Sequence, residues 1–162
     1  MFVVSSHKDK ALNGQIANTV FQITSVPVTI AISINKKNLT YEHIEASKHF
    51  AVSMLEEDTP LAFIGKFGFK SGRQEDKFKD TSFKLLESGC PVVTDYSVAY
   101  LEADVINHFD CGTHGLFLGC VKESAILKQG KVMTYDYYHN VKKGTTPSKA
   151  PTFIRGESRE VK

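Results

Sequence analysis

Residues Gln15–Ile44 read QIANTVFQITSVPVTIAISINKKNLTYEHI, and the second half of this stretch alternates. Val28, Ile30, Ile32 and Ile34 fall on one face of an extended strand, and Thr29, Ala31, Ser33 and Asn35 on the other. Period-two alternation in a run rich in β-branched residues predicts a strand with one face in a core. The opposite face carries small residues with hydroxyl and amide groups, which suits a flat, hydrogen-bonding ligand lying against the backbone. The following turn adds Lys36, Lys37 and Asn38. Thr40 is then placed to cap a helix, with Glu42 in its first turn. Two lysines, amide groups and a helix N-terminus together make an anion site. The pattern points to a phosphate-bearing planar cofactor. An edge strand with a polar outer face and a basic turn accounts for the same residues.

The rest of the chain sets bounds on that choice. Its 162 residues suffice for one domain with a proper core and are too few for two. A formal net charge of +2 leaves no electrostatic footprint for nucleic acid or an anionic membrane surface. The opening MFVVSS has neither a basic region nor a long apolar core, so no signal peptide is expected. No apolar run approaches a membrane-spanning length. Cys90, Cys111 and Cys120 are odd in number and lack CxxC spacing, as expected of reduced thiols in a cytoplasm. The histidines His7, His43, His49 and His108 show no ligand spacing, and no metal is expected.

Along the chain, Phe2–Ser6 reads as a strand, Asn13-Gly14 as a hairpin turn, and ANTVFQIT (residues 17–24) as a second strand. A turn at Ser25–Pro27 leads into the alternating strand. A helix is expected from Thr40 to about Lys48, then a strand FAVSML from Phe50 to Leu55. Thr59-Pro60 supplies a capping hydroxyl and a first-turn proline, and Leu61, Ile64 and Phe67 follow at helical spacing. The segment FKSGRQEDKF, residues 69–78, is polar and has no apolar period; it sets Lys70, Arg73 and Lys77 around Ser71-Gly72. Such an excursion is either a functional loop or a solvated one balanced by Glu75 and Asp76. Ser82–Leu86 reads as a short helix. From Val92 onward the pattern is β, with strands expected around residues 99–105, 116–127 and 132–135. The expected architecture is mainly β: a small antiparallel barrel, residues 1–138, with a few covering helices. Residues 139–162 are expected to form an extended tail across the surface or a neighbouring subunit.

Four segments, NGQIANTVFQITSVPVTIAISINKKNLTYEHI, FGFKSGRQEDKF, AYLEADVINHFDCGTHGLFLGCV and YDYYHNVKKGTTPSKAPTF, carry a resemblance to a known family. The chain resembles the flavin reductases with the FMN-binding split β-barrel. Within them it is similar to the flavoredoxins and to the flavin domains that precede rubredoxin in NADH:rubredoxin oxidoreductases. Two departures stand out. Thr113 occupies the position where many relatives carry Asp before the histidine, and no CxxCG pair for a rubredoxin iron site is present.

The resemblance implies a cytoplasmic homodimer that binds FMN near the subunit interface. It implies electron transfer from NAD(P)H through the flavin to free flavin, an iron complex, or a partner such as rubredoxin or a flavodiiron protein. A carrier that exchanges electrons only with protein partners is the alternative, and a flavin-storage or pyridoxamine-phosphate-oxidase-like relative is a third. Ala17, Asn18 and Thr19 would line the isoalloxazine edge, and Ser33, Ile34 and Asn35 would continue that wall. Asn38 and Thr40 would hold the ribityl phosphate, with Ser71 and Arg73 closing over it. His114 would orient the nicotinamide or sit beside the flavin; a hydrogen-bonded turn histidine fits the same position. His139, beside Tyr137 and Tyr138, is a second candidate of that kind, or part of a surface aromatic cluster.

Overall fold

The computed structural model describes residues 1–153. Nine strands and three helices follow in order: β1 (Phe2–Lys8), β2 (Ala11–Ala17), β3 (Val20–Ser25), β4 (Val28–Asn35), α1 (Leu39–Ser47), β5 (His49–Leu55), α2 (Leu61–Gly68), β6 (Phe83–Leu85), β7 (Pro91–Val93), β8 (Ser97–Cys111), β9 (His114–Ile126) and α3 (Tyr135–Asn140). Seven strands form one sheet in the order β2-β1-β5-β8-β9-β4-β3, and β6 and β7 form a small second one. Every pairing is antiparallel. The long β8–β9 hairpin shifts register at Glu102/Ala103 and Val105/Asn107. Bulges of this kind bend strands and raise their twist, which lets the sheet curl around a core. The split-barrel expectation holds.

The alternating residues of β4 build that core. Ile30, Ile32 and Ile34 of β4 pack with Val4, Ile44, Phe50, Val52 and Phe117. β4 is not an edge strand: it lies between β9 and β3, and Thr29 and Ala31 on its other face are buried as well. A second cluster, with Ile64, Phe67, Phe78, Met133 and Tyr138, sits under α2 and α3.

Five local expectations fail for identifiable reasons. Thr40 does not cap α1: Asn38 is the residue before the helix, and the Thr40 hydroxyl, already inside the first turn, accepts from Asn13 instead. The β1–β2 turn falls at Asp9-Lys10, with Asp9 at φ 53°, and Asn13 and Gly14 lie inside β2 opposite Ser6 and Ser5. Gly14 is spent on packing, because a Cβ there would lie 3.3 Å from the Ser5 Cβ and 3.4 Å from the Phe67 ring. The Thr59 hydroxyl donates to Glu56 O at 2.6 Å rather than capping, and Pro60 itself is the residue before the helix. Phe83–Leu85 is a strand against β7, not a helix, closed by Thr94 N donating to Ser82 O. Val132 makes a single bridge to Glu56, after which Thr134 caps α3 by accepting from Tyr137 N at 3.0 Å.

Candidate functional site

A cavity of about 340 Å³ opens between β2, the end of β4, the start of α1, the end of α2 with its following loop, and residues 145–151. This volume is in the range of small-molecule sites. One wall is apolar, with Ile16, Ala17, Ile64, Phe67 and Tyr138. The other end gathers Asn13, Asn38, Thr40, Ser71, Gly72 and Lys77. A chain of amides and hydroxyls holds that end in place. Asn13 Nδ2 donates to Thr40 Oγ1 at 2.7 Å, and Asn38 Nδ2 donates to Gln15 Oε1 at 3.0 Å. Asn35 Oδ1 accepts from Lys37 N at 3.0 Å, which fixes the turn before α1. Among the described residues, no side chain caps α1, so its first N–H groups carry partial positive charge toward this end.

The residues expected at a binding site divide by position. Ala17, Asn18, Ser33, Asn35, Asn38, Thr40 and Ser71 line the cavity. The Ile34 side chain points into the core, where it is fully buried, and Ile34 is not among the residues that line the cavity. Thr19 donates its hydroxyl to Asn18 Oδ1 at 3.1 Å. Arg73 forms an ion pair with Glu42 on the outer surface. His114 stands at the start of β9, with its Nε2 3.2 Å from Lys149 O and its Nδ1 2.9 Å from Thr113 Oγ1. His139 contacts Gly144 O at 2.9 Å and stacks edgewise on Tyr135 and Tyr138, so it belongs to the α3 packing.

A family model described as the flavin reductase like domain matches residues 1–145. The chain belongs to that family. It is 52% identical over 160 residues to the high molecular weight rubredoxin of Moorella thermoacetica, covering 99% of this chain and 70% of that protein. It is 43% identical over 157 residues to the ferric-chelate reductase (NAD(P)H) of Archaeoglobus fulgidus, covering 97% and 93%. Among solved structures it resembles the NADH:FAD oxidoreductase of Streptomyces globisporus in complex with NAD and FAD fragments. There the TM-score is 0.70 at 26% identity, over 82% of this chain and 79% of that one. The protein is a flavin reductase-like oxidoreductase.

Two parts of this flavin reductase's cavity escaped the sequence reading. The first is Lys77, which lines the cavity while only 5% exposed and donates to Gly14 O and Phe67 O, both at 3.1 Å. Burial, and then the nearby Lys149 charge, pull its pKa down to about 8. The signal available was the short spacing between Lys77 and the buried Phe78, which anchors the loop's end in the α2 core. The second is the segment 145–151, which crosses the mouth of the cavity. Lys149 O accepts from Asn35 Nδ2 at 3.4 Å, Tyr138 donates to Thr145 O at 2.9 Å, and the Tyr135 hydroxyl meets Thr146 and Thr152. Those contacts are made across more than a hundred residues of sequence in the case of Asn35, and no local pattern encodes them.

No helix among the described residues is long and apolar enough to cross a membrane, and no cluster of potential metal ligands occurs among them. All three cysteines are free.

Proposed function

We propose that the cavity holds FMN and that the protein passes electrons from NAD(P)H to an iron complex, free flavin or a small redox protein. The observation that carries this reading is the pairing, in one cavity, of an apolar slot with a polar end built on a helix N-terminus and a buried lysine. A planar ring with a phosphorylated side arm needs both. A bound flavin supplies the hydride-accepting and one-electron chemistry, and the protein's part is to bind, orient and tune it. The backbone of Ala17, Asn18 and Thr19 offers donors and acceptors along the ring edge, continued by Ser33 and Asn35. Asn38, Thr40 and Ser71 hold the phosphate. Arg73 adds to that end from a second copy of the chain, since its own Glu42 holds it away from this cavity. Small side chains such as Ala17 and Ser33 leave one ring face free for the nicotinamide, and His114 fixes the segment that borders that face.

The ferric-chelate reductase among the relatives supports an iron complex as acceptor, and the high molecular weight rubredoxin supports a rubredoxin-type partner. The latter favours a second reading, a carrier that gives electrons only to protein partners such as rubredoxin or a flavodiiron protein. A homodimer is part of the proposal. Phe21, Ile23, Val26 and Val28 of the β3–β4 hairpin are exposed apolar residues, as are Ile106 and Phe109 of β8. Reduced thiols and the redox partners are those of a cytoplasm.

The test is direct. Purified protein is expected to be yellow or to turn yellow with FMN, to release FMN on denaturation, and to oxidise NADH or NADPH with ferric chelate present. Flavin bound but no nicotinamide oxidation with any small acceptor supports the carrier. A protein indifferent to flavin refutes both.

A further inference from the structure

Lys77 is the least explained charge near the cavity. An ammonium carries three N–H groups; two meet the carbonyls of Gly14 and Phe67, and no third acceptor is in reach among the described residues. Among the described residues no carboxylate pairs with it, although burying an unpaired charge costs several kcal/mol. The groups around it do not remedy this. β2 has no titratable residue along Ala11–Ala17. On α2, Lys66 is occupied with Lys79 O and Thr81. In the loop, Glu75 favours the charge but is paired with Lys70, and Asp76 accepts from Phe78 N. Glu42 of α1 is taken by Arg73, and Lys36 of the preceding turn by Asp110. Lys149, from the segment over the mouth, opposes the charge outright. Lys37 adds a further positive group to the lining. A buried cation facing a cavity with more cations at its rim wants an anion in that cavity.

We propose that the Lys77 ammonium is the counter-ion of the ligand's phosphate, so that flavin-free protein takes up a proton as it binds a phosphate monoester dianion and thereby selects FMN over riboflavin. This rests on the flavin reading above and adds the charge logic of its phosphate end. The proton comes from solvent and rests on the Lys77 nitrogen; no bond of the ligand changes. The sign follows from linkage. With burial holding the Lys77 pKa at about 8 in the flavin-free protein and the dianion holding it charged in the complex, affinity is full below that pH. Above it, affinity falls as the amine must be protonated to bind. The phosphate, whose second pKa is about 6, stays dianionic across the window.

The experiment titrates flavin-free protein with FMN and with riboflavin between about pH 7 and about pH 9. The FMN Kd is expected to rise about tenfold across that span while the riboflavin Kd moves less than about twofold. Lys77→Met is expected to weaken FMN binding about tenfold or more at pH 7 without changing that of riboflavin, and to flatten the FMN pH profile. Lys77→Arg, whose guanidinium does not deprotonate, is expected to retain FMN binding without the alkaline loss. Parallel pH profiles for the two flavins in the wild-type protein overturn this proposal and leave the flavin site standing. That comparison needs no variant to fold. Failure of both flavins to bind at any pH overturns the flavin reading and this proposal with it.

Discussion

Asn13 Nδ2 donates to Thr40 Oγ1 at 2.7 Å, joining the middle of β2 to the first turn of α1. Both residues are buried, and both line the cavity. A threonine hydroxyl has one hydrogen to give, and here it is the acceptor, so its own O–H remains for a ligand. Replacing Thr40 by valine keeps the shape and removes both functions. FMN affinity is expected to fall by about 1.5–3 kcal/mol, the scale of a hydrogen bond to a charged group. The fold is expected to lose about 1–3 kcal/mol because the Asn13 amide is stranded. Flavin titration and urea unfolding measure the two; an unchanged Kd removes Thr40 from the phosphate end.

Gly119 explains how two long strands lie against the core. A Cβ there would stand 2.5 Å from the Phe50 ring and 2.8 Å from the Ala103 Cβ, and both neighbours are fully buried. Gly119→Ala is expected to cost about 1–3 kcal/mol, the range for overpacking a filled core. Denaturant unfolding should show a lower midpoint with unchanged slope. A variant as stable as wild type would show that Phe50 has room to turn.

What was legible in the sequence was whatever a local period encodes. The β4 alternation and the body of α1 write their burial into neighbouring residues, and the expected strands 99–105 and 116–127 fall on β8 and β9; the outer half of that hairpin, where β8 runs on to Cys111, has no such pattern. Gly14 and Thr59 misled for different reasons: Gly14 looks like a turn residue but serves a tertiary contact with Phe67, and the Thr59 hydroxyl is drawn back into the turn before it by Glu56 O, three residues earlier. Lys77 sits in a stretch with the composition of a solvated loop, and only the packing of Phe78 beneath α2 drags it inside. The cover over the cavity was unreadable for the same reason. Its anchors are Asn35, His114 and Tyr138, which no spacing rule connects to residues 145–149.

His114 has a defined tautomer. Facing the Lys149 carbonyl, Nε2 must carry the hydrogen, so Nδ1 accepts from the Thr113 hydroxyl. An aspartate at residue 113 would instead demand a hydrogen on Nδ1. His114 is thus a tether for the segment over the cavity, held between Thr113 and the Lys149 carbonyl. His114→Ala is expected to speed tryptic cleavage after Lys149 several-fold and to slow anaerobic flavin reduction by NADH more than it weakens FMN binding. Cleavage and stopped-flow rates equal to wild type would make the contact incidental.

Acid should unfold this protein through His43. The residue is 3% exposed on α1, and its Nδ1 has no partner among the described residues. Burial pushes its pKa below the ordinary 6.5, against a smaller opposing effect of a backbone contact with Ser6. In the unfolded chain His43 binds a proton near pH 6.5; in the fold it does so only at lower pH. Stability is therefore fully present above about pH 6.5 and is lost as pH falls toward the folded value. Urea midpoints of flavin-free protein should decline across that interval. His43→Gln, which cannot titrate, should flatten the decline even if it lowers stability throughout. An equal slope in wild type and variant would assign the acid sensitivity to other groups.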